Sequence, residues 1–463
     1  MPRQIVVIGA GLGGLTSAAL LAQAGHKVTV LEQGDWIGGK SRRIEVAGQT
    51  IDTGPSLFTF PGVWETFLAK YKTLGGVVPT ELRFVQLPEV GRYFFRGDEI
   101  DIPIPQDHPW HEPWQRFVNE HKDLAGPITT LLTSAPMDPK SLPALGKLLG
   151  VYGTKLSTNN YLDSLKWMPE GLRDLIAIHT LNAGVSPDQT LPIYASMTAI
   201  MSEQGISVPL GGMNEVPKML ANLAASSGAK ILTGQRVKII SQSKVITEDQ
   251  TFPADLVVSS LDASLTDSLL SGKPAKIAPN RSCSGVAIYA ALKEPLPADT
   301  VTHSVVMPDE PAELYGALKT NQAPNQTMSF VNYYKPGHIY SNSKATVAVL
   351  LTAPADSADY DLETPWVRSE LDRVSNLIGL DSPIDQQFED YRILNASYFE
   401  GFGALGGALY GAKNPLWQSG PFHKPGYRSI ARPWLHRVGA SVHPGGGIPA
   451  VMGGAMNSIA KLL

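Results

Sequence analysis

Val6-Val-Ile-Gly9-Ala-Gly11-Leu-Gly13-Gly14, followed after one more apolar run by Lys27-Val-Thr-Val-Leu31-Glu32, is the stretch whose reading decides the fold. It predicts a strand over Gln4–Ile8, a glycine turn, a helix over Gly13–Ala24 and a second strand over Lys27–Glu32. Gly9, Gly11 and Gly14 form G-x-G-x-x-G directly after a strand and at the opening of a helix. Gly9 allows the tight turn, Gly11 lets backbone approach a pyrophosphate, and Gly14 lets helix and strand pack closely, while the helix N-terminus offers free N–H groups to the anion. Glu32 stands eighteen residues beyond Gly14, at the end of the second strand. A carboxylate there binds ribose hydroxyls and disfavours a 2′-phosphate. The run Ile5 to Gly25, with Arg3 before it and Ala22-Gln-Ala24 at its end, imitates a secretion signal. Its five glycines and direct continuation into a strand place it in a βαβ unit instead.

With 463 residues, the chain is too long for one ordinary core and divides into two or three, with room to bury a large ligand. Charged residues are only 17%, below the roughly 25% of typical soluble domains, so part of the surface is available to something other than water. The net charge of −4 and the lack of a dense basic run argue against nucleic acid as a partner. A single cysteine, Cys283, excludes an internal disulfide and a thiolate metal centre and fits a reducing, cytoplasmic compartment. No run reaches the roughly 20 apolar residues of a membrane span, so any membrane contact is expected to be peripheral, on the inner face.

Working outward, Arg92–Arg96 and Glu99–Ile104 alternate about Gly97-Asp98 as a hairpin. Residues 114–204 carry a helical pattern broken at Pro127, Pro136 and Pro143, expected to form a helical cap. A helix over Asn214–Ser227 and strands at Lys230–Leu232, Arg236–Ile240 and Asp255–Ser259 return to the first domain. Strands at Gly285–Leu292 and Ala345–Thr352 and a helix over Trp366–Leu377 predict a second, mixed sheet. The fold class is therefore α/β: a Rossmann-type domain assembled from segments 1–90, 205–283 and 405–463, a mixed-sheet substrate domain from 91–113 and 284–404, and a cap from 114–204.

Glu32 is succeeded by Gly38-Gly39-Lys40 and then by Asp52-Thr-Gly54-Pro55, and this E-x5-G-G-[R/K] arrangement resembles the signature of the FAD-dependent amine oxidase and phytoene desaturase superfamily. The resemblance implies FAD, held by Gly9, Gly11, Gly13, Gly14, Glu32, Gly38, Gly39, Lys40, Gly54, Pro55 and Val237. Relatives usually have Arg where Lys40 stands; a lysine meets phosphate charge without the bidentate fork. Near the other end, Gly439-Ala-Ser-Val-His443-Pro-Gly-Gly-Gly447-Ile448-Pro resembles the terminal flavin-binding motif of bacterial carotenoid desaturases. It adds Gly439, Ala440, Gly447 and Ile448 to the implied site, and Ala440 replaces the acid of the amine oxidases. Pro209–Met213, Ala254–Ser259 and Leu416–Gln418 extend the likeness over most of the chain, and Gly406–Gly411 leans it toward desaturases of hydroxy- or methoxycarotenoids acting at the 3,4 position.

The implied chemistry is hydride transfer from an allylic carbon of a carotenoid or other polyene to flavin N5, with proton loss from the adjacent carbon. The resemblance assigns no acid or base. His179 matches a family histidine and is a candidate at the substrate channel, although its residue type in a helix fits a satisfied core position better. His443 is a candidate beside the flavin, weighed against bracing its glycine turn through a backbone hydrogen bond. Cys283, Tyr93–Phe95 and Tyr333-Tyr334 read as buried packing residues. The Leu clusters of 127–156 with Lys140, Lys147 and Lys155 suit either a solvated helix pair or a face resting on a bilayer. Two alternatives stay open: a redox-neutral carotenoid isomerase or polyene saturase of the same fold, and a prenyl-binding escort protein without redox turnover.

Overall fold

A computed structural model describes residues 1–463, the Pro421 side chain apart. The first strand, Gln4–Ile8, lies inside a five-stranded parallel sheet ordered Leu435–Arg437, Leu256–Ser259, Gln4–Ile8, Lys27–Leu31, Lys230–Leu232. Ile8 pairs with Leu31 on one side and Ser259 on the other, and Ser259 in turn with Arg437. The carboxyl ends of strands that are hundreds of residues apart in sequence therefore open at one edge, where parallel α/β sheets place their ligands.

Both faces of this sheet are buried, as a parallel sheet requires. Ile5 and Val7 pack into the main core with Leu15, Leu20 and Leu21. Val6, Ile8 and Leu31 point the other way, onto Val237, Ile240 and Val245. Those last residues belong to a separate antiparallel ribbon of Val237–Ile240, Lys244–Thr247 and Thr251–Pro253 that covers the second face. On the first face, helix Leu12–Gln23 touches helices Glu215–Ser226 and Ile448–Ile459. Helix Leu12–Gln23 is buried from Gly13 to Ala22. Its alanines and glycines let neighbouring backbones close in, and each buried leucine contributes about 2 kcal/mol against the roughly 1 kcal/mol cost of a helical glycine.

A seven-stranded sheet runs Phe388–Leu394, Ser284–Leu292, Thr346–Ala353, Ser329–Tyr334, His303–Val306, Gly91–Phe95, Asp98–Ile102. Period-two alternation divides its residues between two faces. Val286, Ile288, Val331, Val347 and Val349 pack under helix Pro365–Leu377, through Val367, Leu371 and Val374. Ala287, Tyr289, Ala291 and Ala348 face Val46 and Ile51 of the first domain's hairpin. The hairpin of residues 91–102 turns at Arg96-Gly97, both with positive φ (50° and 83°), and Asp98 already belongs to the strand. The Gly97-Asp98 turn expected from sequence is thus displaced by one residue, because a two-residue turn of this hand needs glycine in its second place.

Residues 111–204 hold only helices joined by short loops, including His111–His121, Ala125–Thr133, Leu142–Tyr152 and Ser196–Gln204. Trp114 and Phe117 are fully buried there. Among the described residues no helix is long and apolar enough to cross a membrane.

Candidate active site

The glycine turn is built as its spacing predicts. The Gly9 amide donates to the Leu31 carbonyl at 2.8 Å with φ of 92°, and a Cβ on Gly14 would collide with the Gly9 carbonyl oxygen. Helix Leu12–Gln23 carries no capping side chain and no acid in its first turn, so its N-terminal N–H groups are left for an anion from outside the helix. Gly38 donates to the Ala10 carbonyl at 2.8 Å, which draws the Gly38-Gly39 turn against Gly11; a Cβ on Gly39 would stand 3.1 Å from Gly11 Cα. Glu32 accepts from the Ala10 amide at 2.8 Å and from the Gly34 amide at 2.9 Å. Two further lone pairs of its carboxylate remain for hydroxyl donors.

The terminal loop arrives at the same place. A Cβ on Gly13 would stand 3.2 Å from the Gly439 amide nitrogen, and one on Gly439 would stand 3.4 Å from the Ser260 carbonyl oxygen. Val438 donates to Ser259 at 2.9 Å, continuing the sheet up to this edge. Gly447 precedes helix Ile448–Ile459 with φ of 93°, and Ile448 is buried at the first turn. Ala440 lies next to Gly439 at the same edge, partly buried. Gly54, with φ of 83°, donates to the hydroxyl of the fully buried Tyr289 at 3.1 Å, and a Cβ on it would collide with the Lys40 carbonyl; Pro55 follows it, partly buried. Val237 lies in the separate ribbon, paired with Thr247. The structure thus brings together Gly9 to Gly14, Glu32, Gly38 to Lys40, Gly54 and Gly439, with Val237 on the ribbon that covers the sheet. A surface hollow of about 420 Å³ beside Trp36, Arg42 and Tyr398 is lined by none of these glycines.

Ser260 is a member that motif reading missed. Its side chain or backbone is the nearest neighbour of the space beside Gly9, Gly11 and Gly439 alike. The signal for it was positional: it is the first residue past the carboxyl end of a parallel strand beside the turn. Tyr410 was missed too, although its hexapeptide had drawn notice. Its ring is wedged so that a Cβ on Gly446 of the terminal loop would collide with it, and one on Gly184 would come within 2.8 Å.

The two histidine candidates differ. His179 is buried, with Nε2 2.7 Å from the Tyr93 hydroxyl and Nδ1 3.2 Å from the Asn182 amide, and burial lowers its pKa to about 4. That is the satisfied core histidine of the sequence reading. His443 makes no backbone hydrogen bond through its ring among the described residues, contrary to the bracing role weighed for it. It faces His423 and Tyr427 at centroid distances of 6.2 and 6.1 Å. Burial, then the His423 charge, lowers its pKa to about 4.

An unfilled helix N-terminus, two glycine turns in backbone contact and a second glycine loop closing on them fit an elongated dinucleotide with an attached flat ring. The model of the flavin-containing amine oxidoreductase family matches residues 12–365. The chain belongs to that family. The cofactor of this flavin-dependent oxidoreductase is FAD. Over 98% of its length the chain is 27% identical to hydroxyneurosporene desaturase of Rubrivivax gelatinosus, covering 92% of that protein. It is 25% identical to phytoene dehydrogenase of Streptomyces griseus over 97% of the chain and 92% of the relative. Putrescine oxidase superposes over 100% of this chain and 98% of its own with a TM-score of 0.65 at 15% identity, a likeness of fold alone.

Proposed function

We propose that this flavoprotein is a carotenoid desaturase that introduces C=C bonds into an acyclic carotenoid. The observation that carries the reading is the meeting of the Gly9–Gly14 turn with the Gly439–Gly447 loop, since the latter is the motif that resembles carotenoid desaturases. FAD, when bound, supplies the hydride acceptor at its N5. The residues of the chain bind and align. Gly9, Gly11, Gly13, Gly14, Gly38, Gly39, Gly54 and Pro55 would give the dinucleotide close backbone approach, Glu32 its ribose contacts, and Val237, Gly439, Ala440, Gly447 and Ile448 its two ring systems. Segments 1–90, 205–283 and 405–463 would form the FAD domain, 91–113 and 284–404 the substrate domain and 114–204 the cap.

The similarity to a hydroxyneurosporene desaturase supports a substrate oxygenated at one end. Helix Leu142–Tyr152 supports delivery from a bilayer: Leu142, Leu145 and Leu149 lie on one stripe and are 65%, 42% and 65% exposed. Met137 and Leu156, on either side of the helix in sequence, are exposed as well, and Lys140, Lys147 and Lys155 accompany them in sequence. We place the protein in the cytoplasm on the inner membrane face. Incubating the FAD-loaded protein with liposome-borne acyclic carotenoids tests the reading. A red shift of the visible bands is expected, and no shift with any acyclic carotenoid, hydroxylated or not, overturns it.

A further inference from the structure

Charge is unevenly spread along this chain. Residues 401–463 hold six lysines and arginines and no aspartate or glutamate, in a protein whose net charge is −4. Arg437 pairs with Asp267 at 2.5 Å. Lys424, Arg428 and Arg432 are exposed and form no ion pair among the described residues. They share one loop, residues 415–432, with three large apolar side chains that also face outward: Trp417 is 68% exposed, Phe422 66% and Ile430 101%.

This exposure is held in place by bonds at the base of the loop. The Lys413 amide donates to the Asn280 carbonyl at 3.1 Å, and the Arg437 amide to the Tyr427 carbonyl at 2.8 Å. The Asn414 amide group meets the His423 ring at 3.0 Å, and the Tyr427 ring lies 6.1 Å from that of His443, in the terminal loop. Ile430 stands at a turn closed by the Arg432 amide on the Ser429 carbonyl at 3.3 Å. The loop also adjoins the helical cap. Tyr427 stands beside Asn457, whose side chain donates to the carbonyls of Leu132 at 3.2 Å and Ser134 at 2.8 Å. Met137 and helix Leu142–Tyr152, with its exposed leucines, follow Ser134 in the chain.

We propose that residues 415–432 are a docking surface for anionic phospholipid. Trp417, Phe422 and Ile430 enter the boundary between headgroups and acyl chains, while Lys424, Arg428 and Arg432 meet lipid phosphates, the division of labour that suits an interfacial segment. Charge complementarity selects this partner: cations unopposed by any acid of their own segment attract a negative surface, and apolar side chains placed among them need an apolar layer beneath it. The proposal deepens the bilayer delivery described above and rests on that reading. The leucine stripe gives contact with a bilayer of any charge, whereas this loop prefers a negative one and, through Tyr427 against His443, turns the terminal loop toward it.

The test uses the FAD-loaded full chain and liposomes of phosphatidylcholine with and without phosphatidylglycerol. Wild type should bind the anionic liposomes more tightly, and the difference should vanish in about 1 M salt, where the Debye length is roughly 3 Å. Changing Lys424, Arg428 and Arg432 together to glutamine should weaken binding to anionic liposomes about 100-fold, near fivefold for each charge, and leave binding to neutral ones unchanged. Flavin content and melting temperature should hold, since these side chains are exposed. Brominated phosphatidylglycerol should quench part of the tryptophan emission, and Trp417→Phe should remove that part. A triple variant that binds anionic liposomes like wild type, or quenching unchanged in Trp417→Phe, would overturn the proposal while leaving bilayer delivery standing. So would a lipid-free dimer that the triple variant dissociates, which would assign the loop to a second copy of the chain. Wild type that binds neither kind of liposome would overturn bilayer delivery and this proposal with it.

Discussion

At the scale of single residues, glycine is the most legible letter in this chain, because its reasons are geometric. Gly14 was read from spacing as a point of close helix–strand packing, and the Gly9 carbonyl fills the space a Cβ would need. Gly14→Ala should therefore cost about 1–3 kcal/mol through forced separation of helix Leu12–Gln23 from its strand, and should lower the flavin-to-protein ratio on purification. Gly316→Ala is the matched control. It sits in helix Pro311–Thr320 with nothing within 4 Å of the added methyl and should raise the melting temperature slightly, by the roughly 0.5–1 kcal/mol that alanine gains over glycine in a helix. Equal losses in both variants would mean that Gly14 is not a packing contact. Ser260 and Tyr410 were illegible for the opposite reason. Neither is demanded by its own conformation; each matters through neighbours brought in by strand register and by the Gly446 loop, which a linear motif does not encode.

Elements were legible where one period dominated. The strand at Gln4–Ile8 and the strand at Lys230–Leu232 fall on the residues predicted, and helix Pro365–Leu377 begins one residue early because proline fits a first helical turn. The partners of Val237–Ile240 were not foreseen. Lys244–Thr247 and Thr251–Pro253 are too short and too polar to announce a ribbon, and only the apolar face of the sheet beneath explains them. The helix of residues 142–152 poses a different question, because its inward residues Ala144 and Tyr152 satisfy the core while its outward leucines satisfy nothing in the chain. Changing Leu142, Leu145 and Leu149 together to serine removes three apolar anchors, each worth about 1–2 kcal/mol if buried in the acyl boundary. Co-sedimentation with anionic liposomes should fall at least tenfold while the melting temperature holds, since these side chains are exposed. Unchanged sedimentation would show that this stripe does not touch lipid.

For the whole molecule, the site is made by segments from both ends of the chain and the middle, so its integrity depends on the entire fold surviving, and buried imidazoles set the acid limit of that survival. His121, His179 and His303 are buried, and burial lowers their pKa values from 6.5 to about 4, about 4 and about 3. His121 is engaged at both nitrogens, by the Phe117 carbonyl at 2.6 Å and the Tyr161 hydroxyl at 2.7 Å, whereas neither ring nitrogen of His303 meets a protein partner among the described residues. In the unfolded chain each takes a proton near pH 6.5, and in the folded chain only near 3 to 4. Between those values the unfolded state binds more protons, so stability falls as pH falls. At pH 5 the loss is about 2 kcal/mol for each of these histidines, roughly 6 kcal/mol for the three, and His443, lowered by burial to about 4, adds to it in the same direction, as do His423 and His436, which burial also lowers. Asp174 and Asp262, whose pKa values burial raises, act with the opposite sign but only as pH enters the carboxylate range. The informative window is therefore pH 6.5 to 5. Chemical unfolding in that window should give a stability that drops with a slope of at least three protons, and His179→Gln, which keeps a hydrogen-bonding group beside Tyr93, should reduce the slope by one. A stability that stays flat from pH 6.5 to 5 would mean that the folded protein already carries these histidines protonated, and the buried networks would then have to be drawn with charged rings.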